Sequence, residues 1–310
     1  DVGRTLSVPA SLAGVYVAIV YAGAMFSSLA AGTAVKRFGA IRISQVGLLL
    51  CAAGLAMCSI PSLPAIAIGA ILIGLGYGPI TPASSHLLAK STSPDRMSLV
   101  FSVKQTGVPL GGVLAGMLIP SAALILGWQG ALLVAAAANV ICAVVAQPLC
   151  SNLDADRDAA QPLVLGSLAS PIRLVLKHPA LRMLAGCSFV FSMIQLSLTT
   201  YLVTYLHFTL SYSLVAAGVA LSVAQVGGMA GRVLWGWVAD RWTGARNMLA
   251  SLAALMALAA LATAWLTPAV PSFVIMMVLV IFGASAIGWN GVYLAEVARQ
   301  APPGLASIAT

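Results

Sequence analysis

Gly236-Trp237-Val238-Ala239-Asp240-Arg241, followed by Gly244 and Arg246, forms a charged island between two long apolar runs, at about 214 to 237 and 247 to 267. Each run is close to the roughly 20 residues a helix needs to cross the hydrocarbon layer of a bilayer. A carboxylate, a guanidinium and a glycine within six residues read as a tight turn joining two crossings. The stretch Gly32-Thr33-Ala34-Val35-Lys36-Arg37-Phe38-Gly39, followed by Arg42, is built the same way, except that Lys36 stands where the acid would be.

The rest of the chain extends this reading. Its 310 residues carry 15 basic and 7 acidic side chains, only 7% charged, with 61% apolar residues and a mean hydropathy of +1.03. An ordinary soluble domain has about a quarter of its residues charged, so these values exclude a water-soluble globule. Further apolar stretches lie at about 9 to 34, 43 to 60, 65 to 89, 98 to 125, 130 to 150, 181 to 206 and 272 to 298, which makes nine expected helices. The connections alternate. Pro61 to Pro64, Gly127 to Gly130, the turn near His207 and Pro268 to Pro271 are short and uncharged, whereas the others hold Lys36, Arg37 and Arg42, then Lys90 and Arg96, then Arg157, Arg173, Lys177 and Arg182, then Arg241 and Arg246, then Arg299. With Lys104 and Arg232 at the same helix ends, 14 of 15 basic residues fall on one side and Arg4 on the other. Positive charge marks the cytoplasmic face, so Asp1 is expected outside and Thr310 inside.

Residues 1–150 read as one helical half, 151–180 as a cytoplasmic linker with a surface helix at Pro171 to Leu176, and 181–310 as a second half. A chain opening on Asp1, without a basic segment ahead of a short apolar core, is expected to be a piece of a longer protein lacking a signal peptide. The five cysteines, with no paired spacing, read as small core residues. The basic residues form no aromatic-interleaved patch, so no nucleic-acid partner is expected.

A shift of 204 residues superposes Ala13-Gly14-Val15 on Ala217-Gly218-Val219, Gly23 on Gly227, Met25 on Met229, Gly32 on Gly236 and Arg37 on Arg241. A weaker echo sets Leu75-Gly76-Tyr77 against Ile287-Gly288-Trp289. The matched helices lie six crossings apart, so the copies run in the same direction, a parallel repeat.

These features together resemble the major facilitator superfamily (MFS), whose signature joins two helices through a Gly, an acid-base pair, a second Gly and further basic residues. Phe101 to Gly112, continuing to Gly116, is similar to that superfamily's fifth-helix motif, with Gly107/Gly111 and Gly112/Gly116 smoothing one face and Pro109 bending the helix. The resemblance implies an all-α membrane bundle of two parallel pseudo-repeats. About nine of twelve helices are present, the second to the tenth, with the first and the last two absent. It also implies rocking of two halves about a midplane site, driven by an ion gradient, the proton being the expected coupling ion.

Lys104 lies roughly 10 Å inside its helix from Met97 at 1.5 Å per residue. An intramembrane cation is a functional candidate by default, and an anionic solute would suit it; snorkelling to the rim is the plainer alternative. Gln105, Tyr21, Tyr77, Gln195, Tyr201, Gln225, Trp289, Asn290 and Tyr293 are the further solute-contact candidates, with Thr199 beside them. Arg37, Arg232, Asp240, Arg241 and Glu296 are the gating candidates, Arg232 being expected to pair with Asp240 and Glu296 with Arg299. His86 is expected to cap free carbonyls.

The expected activity is a secondary transporter of a small solute, an organic anion on the evidence of Lys104, with proton-coupled efflux of amphipathic compounds as the alternative. The chain is expected to be a multi-pass protein of the plasma membrane and a monomer. Its histidines are scattered, no nucleophile elbow or cysteine cluster appears, and no phosphate-binding glycine loop occurs. A membrane enzyme, a resident metal and a cofactor are therefore not expected. No charged ring or filter loop points to a channel.

Overall fold

The computed structural model describes residues 5–9, 11–91, 104–162 and 175–300. Asp1, Arg4, Arg96, Phe101 to Val103, Arg173, Thr310 and most of the expected surface helix lie outside the described residues. The main elements are α1 (Leu12–Phe38), α2 (Ala40–Cys58), α3 (Leu63–Tyr77), α4 (Ile80–Ser91), α5 (Gly107–Val145), the short α6 (Cys150–Leu153), α7 (Pro179–Phe208), α8 (Leu214–Val238), α9 (Gly244–Ala264), α10 (Ser272–Ala286) and α11 (Asn290–Gln300). A π-helical turn, Ala239–Thr243, joins α8 to α9. Among the described residues there is no strand.

Eight continuous runs among the described residues are long and apolar enough to cross a membrane. The longest, Gly107–Leu153, has 47 residues, about 70 Å of helix at 1.5 Å per residue, more than twice the hydrocarbon thickness. Its α5 portion is interrupted at Gly127, where φ 72° and ψ 169° lie outside helical space. Glycine, lacking a Cβ, adopts that positive φ without strain. The interruption divides the run into two crossings at the connection read from Gly127 to Gly130, which makes nine such segments among the described residues.

The surface of these helices identifies their solvent. Ile125 is 81% exposed, Val145 70% and Phe189 68%, alongside many other large apolar side chains. Soluble monomers rarely leave so much contiguous apolar surface open; lipid accepts it. Within lipid the hydrophobic effect no longer drives helix against helix, and close approach of small residues takes over.

The chain packs into two compact units, Asp1–Phe101 with Ser121–Ser167, and Ser102–Pro120 with Leu168–Thr310. In the first unit, α1 lies on α3 where Gly23 meets Ile71 and Gly74, and α2 lies on α3 through Gly54 against Gly69 and Gly47 against Gly76. In the second unit, Gly227 of α8 lies on the Val280 backbone of α10, and Gly283 lies on Ala224. The 204-residue repeat is thus expressed as the same helix pairing in each unit, with Gly23 and Gly227 in equivalent roles. Gly112 and Gly116, on the Gly107–Pro120 portion of α5, meet Gln225 and Gly218 of α8 within the second unit. Gly107 and Gly111 face open space, as do Gly32 and Gly236. Among the described residues no close contact is made at those four glycines; on α5 the contact falls on Gly112 and Gly116.

Two further apolar runs, Leu63–Leu88 and Ser272–Val297, are interrupted, and both interruptions fall at the weaker sequence echo. Pro79, which has no N–H to donate, follows Tyr77 and Gly78 between α3 and α4, and Ile287-Gly288-Trp289 separates α10 from α11. The cysteines are all free thiols; Cys58 and Cys150 are buried and Cys51 and Cys187 half-buried, but Cys142 is exposed, so it is not a core residue.

A Cβ at residue 74 would press on the Gly23 Cα at 3.0 Å and the Ala24 nitrogen at 3.1 Å. Gly74→Val is expected to destabilise the protein by about 1 to 3 kcal/mol or more, the usual cost of overpacking. Gly32→Ala, into open space, is expected to be neutral. Thermal unfolding midpoints of the purified variants in detergent check both.

Candidate functional site

In the second unit, four of the expected solute-contact residues meet. Gln195, on α7, accepts at Oε1 from the Trp289 indole Nε1 at 3.0 Å and from Asn290 Nδ2 at 3.3 Å. Trp289 is itself wedged edge-to-face between Phe191, 5.3 Å between centroids, and Tyr293, 5.2 Å. The interruption between α10 and α11 makes this possible. In an unbroken helix Trp289 and Asn290 would point about 100° apart, whereas here they share one acceptor. Thr199 turns its hydroxyl back to the Gln195 carbonyl at 3.0 Å. Gln195 Nε2 and Asn290 Oδ1 have no hydrogen-bond partner among the described residues, which leaves one donor and one acceptor beside an aromatic wall.

Lys104 and Gln105 sit half-buried just before α5. The Gln105 carbonyl accepts from an Arg232 guanidinium nitrogen, and Arg232 Nε donates to the Ile287 carbonyl at 3.2 Å. The expected Arg232 to Asp240 pair is not formed. Eight helical residues separate them by about 12 Å along the axis, and Asp240 and Arg241 are exposed on the π-helical turn. Tyr201 is half-buried on α7. Gln225 is buried, with its side chain against Gly112. In the first unit, Tyr21 and Tyr77 meet edge-to-face at 6.3 Å, both partly exposed.

The charged rim of the first unit holds a device that the sequence did not disclose. Asp154, only 3% exposed, accepts from the backbone nitrogens of Ile41 at 2.8 Å and Arg42 at 3.0 Å. It caps the open N-terminus of α2, where unpaired N–H groups and the helix dipole favour an anion. Gly39 makes room: its φ is 98°, and any Cβ there would collide with the Asp154 carboxylate. The same strap continues as Asp158 N–H donating to the Lys36 carbonyl at 2.8 Å and Arg37 donating to the Gln161 carbonyl at 3.2 Å, with its guanidinium 5.5 Å over the Phe38 ring. A carboxylate is thus brought to this rim from more than a hundred residues away, onto the amides of α2 and not onto Lys36 or Arg37. Three of the chain's seven acids lying at 154, 156 and 158 was the available signal. Among the described residues His86 caps no carbonyl; its Nε2 lies 3.0 Å from Asp156 Oδ2 on that strap. At the rim of the second unit, buried Glu296 accepts from Arg299 at 3.0 Å and Gln300 at 2.9 Å, the pairing expected for it.

Residues 1–310 match the Major Facilitator Superfamily. The chain belongs to that superfamily. It is 26% identical over 299 residues to an uncharacterized MFS-type transporter of Mycobacterium tuberculosis (strain CDC 1551 / Oshkosh), a match covering 95% of the chain; the chain spans 65% of that relative's length. Among solved structures, it resembles a bacterial homolog of the human lysosomal transporter Spinster in an inward-facing, occupied conformation, with a TM-score of 0.73 at 14% identity over 99% of this chain and 70% of that one. It also resembles a variant of the nucleoside transporter NupG, with a TM-score of 0.75 at 16% identity over 99% and 79% of the two chains. At these identities the structural likeness speaks for the superfamily fold alone. The protein is a multi-pass, all-helical MFS chain.

Removing the Asp154 cap is expected to cost about 1 to 2 kcal/mol. Asp154→Ala should therefore lower the unfolding midpoint, Asp154→Asn should recover part of the loss, and Gly39→Ala should behave like the alanine variant because it both clashes and strains a positive φ.

Proposed function

We propose that this chain is the core of a secondary active transporter that moves a small organic anion across the plasma membrane by alternating access. Superfamily membership supports the transporter class, and Lys104 carries the choice of anion. It is a half-buried cation on a membrane helix with no ion-pair or hydrogen-bond partner among the described residues. Such a charge is costly in lipid unless a partner arrives, and a solute carboxylate is that partner. Gln195 and Asn290 would offer the solute one donor and one acceptor, with Trp289 and Tyr293 as its apolar wall. Tyr21, Tyr77 and Tyr201 are proposed as further contacts.

On this reading the basic rim faces the cytoplasm, the protein works as a monomer, and a proton gradient drives it. Asp240, Arg241 and Glu296 lie at that rim as gating groups, with Arg37 holding its strap. Residues 1–150 and 181–310 are the moving halves, joined by 151–180. Solutes of the relatives, a nucleoside for one and a peptide for another, support a small organic molecule.

Efflux of amphipathic compounds is the second reading, favoured by a cavity of about 500 Å3 in the first unit. It is lined by Leu12, Tyr16, Cys58, Leu63, Trp128 and Leu132 among others and is almost wholly apolar.

With the full-length protein in proteoliposomes, Lys104→Gln is expected to lower uptake of labelled mono- and dicarboxylates at least about tenfold, in line with loss of a charge-assisted contact. Lys104→Arg should retain much of the activity. Undiminished uptake by the glutamine variant would return Lys104 to a rim-snorkelling role. Stabilisation of the protein by amphipathic amines and not by carboxylates would favour efflux.

A further inference from the structure

The interruption between α10 and α11 creates a problem that a membrane helix cannot leave unsolved. The Ile287 N–H closes the last regular bond, onto the Gly283 carbonyl at 2.9 Å. The carbonyls of Ala284 and Ile287, which an unbroken helix would pair with residues 288 and 291, need other donors, because no water waits in hydrocarbon to meet them. Two side chains from one face of α8 supply the shorter bonds, and Asn290 Nδ2 adds a longer one to the Ile287 carbonyl at 3.4 Å. Trp235 Nε1 donates to the Ala284 carbonyl at 2.7 Å, and Arg232 Nε donates to the Ile287 carbonyl at 3.2 Å. The donors are three residues apart on α8, and the acceptors are three residues apart, one in the last turn of α10 and one just beyond it. Gly228 and Gly231 let the backbones come close enough, since a Cβ at 231 would overlap the Ala284 carbonyl and one at 228 would overlap Ile287. Arg232 also reaches the Gln105 carbonyl, so one guanidinium ties three segments of the second unit together.

We propose that Arg232, with Trp235, is a side-chain clamp on the broken helix that positions Trp289 and Asn290 against Gln195. Arg232 is a positioning residue: it acts on the solute group through Ile287, two residues before Trp289. The guanidinium reaches the two carbonyls through two different nitrogens held in a rigid plane, a spacing that the single nitrogen of a lysine ammonium does not reproduce. The inference deepens the transporter reading, since the clamp sets the geometry of the residues assigned there to the solute.

The test needs no solute, so its outcome is separate from that of the transport assay. In the full chain in nanodiscs, the indole N–H resonance of Trp289, identified by its loss in Trp289→Phe, is followed by 1H–15N NMR. Amide exchange of the peptide covering residues 284–293 is measured in parallel. Arg232→Gln and Arg232→Lys are each expected to shift the Trp289 resonance and to speed exchange of that peptide about tenfold or more, the order expected when a charged hydrogen bond holding a local opening is lost. The Trp128 indole and the peptides of α2 should be unchanged. Trp235→Phe, which keeps charge and bulk, should speed the same peptide and serves if the arginine variants do not fold. Val233→Ala, on the exposed face, should do nothing. An unmoved Trp289 resonance with unchanged exchange in Arg232→Gln, or full protection in Arg232→Lys, would overturn the clamp.

Discussion

Inside a bilayer every backbone N–H and C=O must find a partner within the protein, and this rule organises the chain. Where helices run unbroken, the requirement meets itself. Where they stop or break, side chains answer it, and those side chains turn out to be the informative ones. Asp154 covers the first amides of α2, and Trp235 and Arg232 cover the last carbonyls of α10. An unmet group in hydrocarbon costs several kcal/mol, so the contacts at the α10 break matter more than their number suggests.

The same rule separates two uses of charge. Asp154, buried, answers a helix terminus through neutral amides and needs no cation. Lys104 answers nothing within the described residues. The contrast makes the lysine a functional candidate and the aspartate a structural one, although both are charged groups away from bulk water. Glycine shows a parallel division. Gly23 and Gly227 bring equivalent helix pairs into backbone contact in the two units, while Gly32 and Gly236, equally matched in sequence, face open space.

The second unit links its helix break to its candidate solute group. By taking residues 287–289 out of the helix, the break lets an indole and an amide meet one glutamine oxygen. A continuous helix would splay them. The packing that permits the break, glycines of α8 against the backbone of α10, belongs to the repeated unit. The repeated helix contact, the break and the candidate site thus lie side by side in the second unit.

Composition, span length and the alternation of charged and uncharged connections determined the membrane class and the crossings, because each depends on a local property summed over some twenty residues, and the 204-residue self-match showed the repeat. Even the division at Gly127 was legible, from the short uncharged turn around it. Gln195, Trp289, Asn290 and Tyr293 were legible as polar or aromatic residues at odds with lipid, but not as one cluster. The roles of Arg232 and Asp154 were not legible at all. Arg232 reads along the helix as a partner for Asp240, yet helical rise holds the two apart and the carbonyls it meets belong to other helices. Asp154 reads as linker charge, yet it completes a helix more than a hundred residues earlier. Hydrogen-bond partners across such separations follow from which helix faces come into contact, and that is set by tertiary packing and not by any window of sequence.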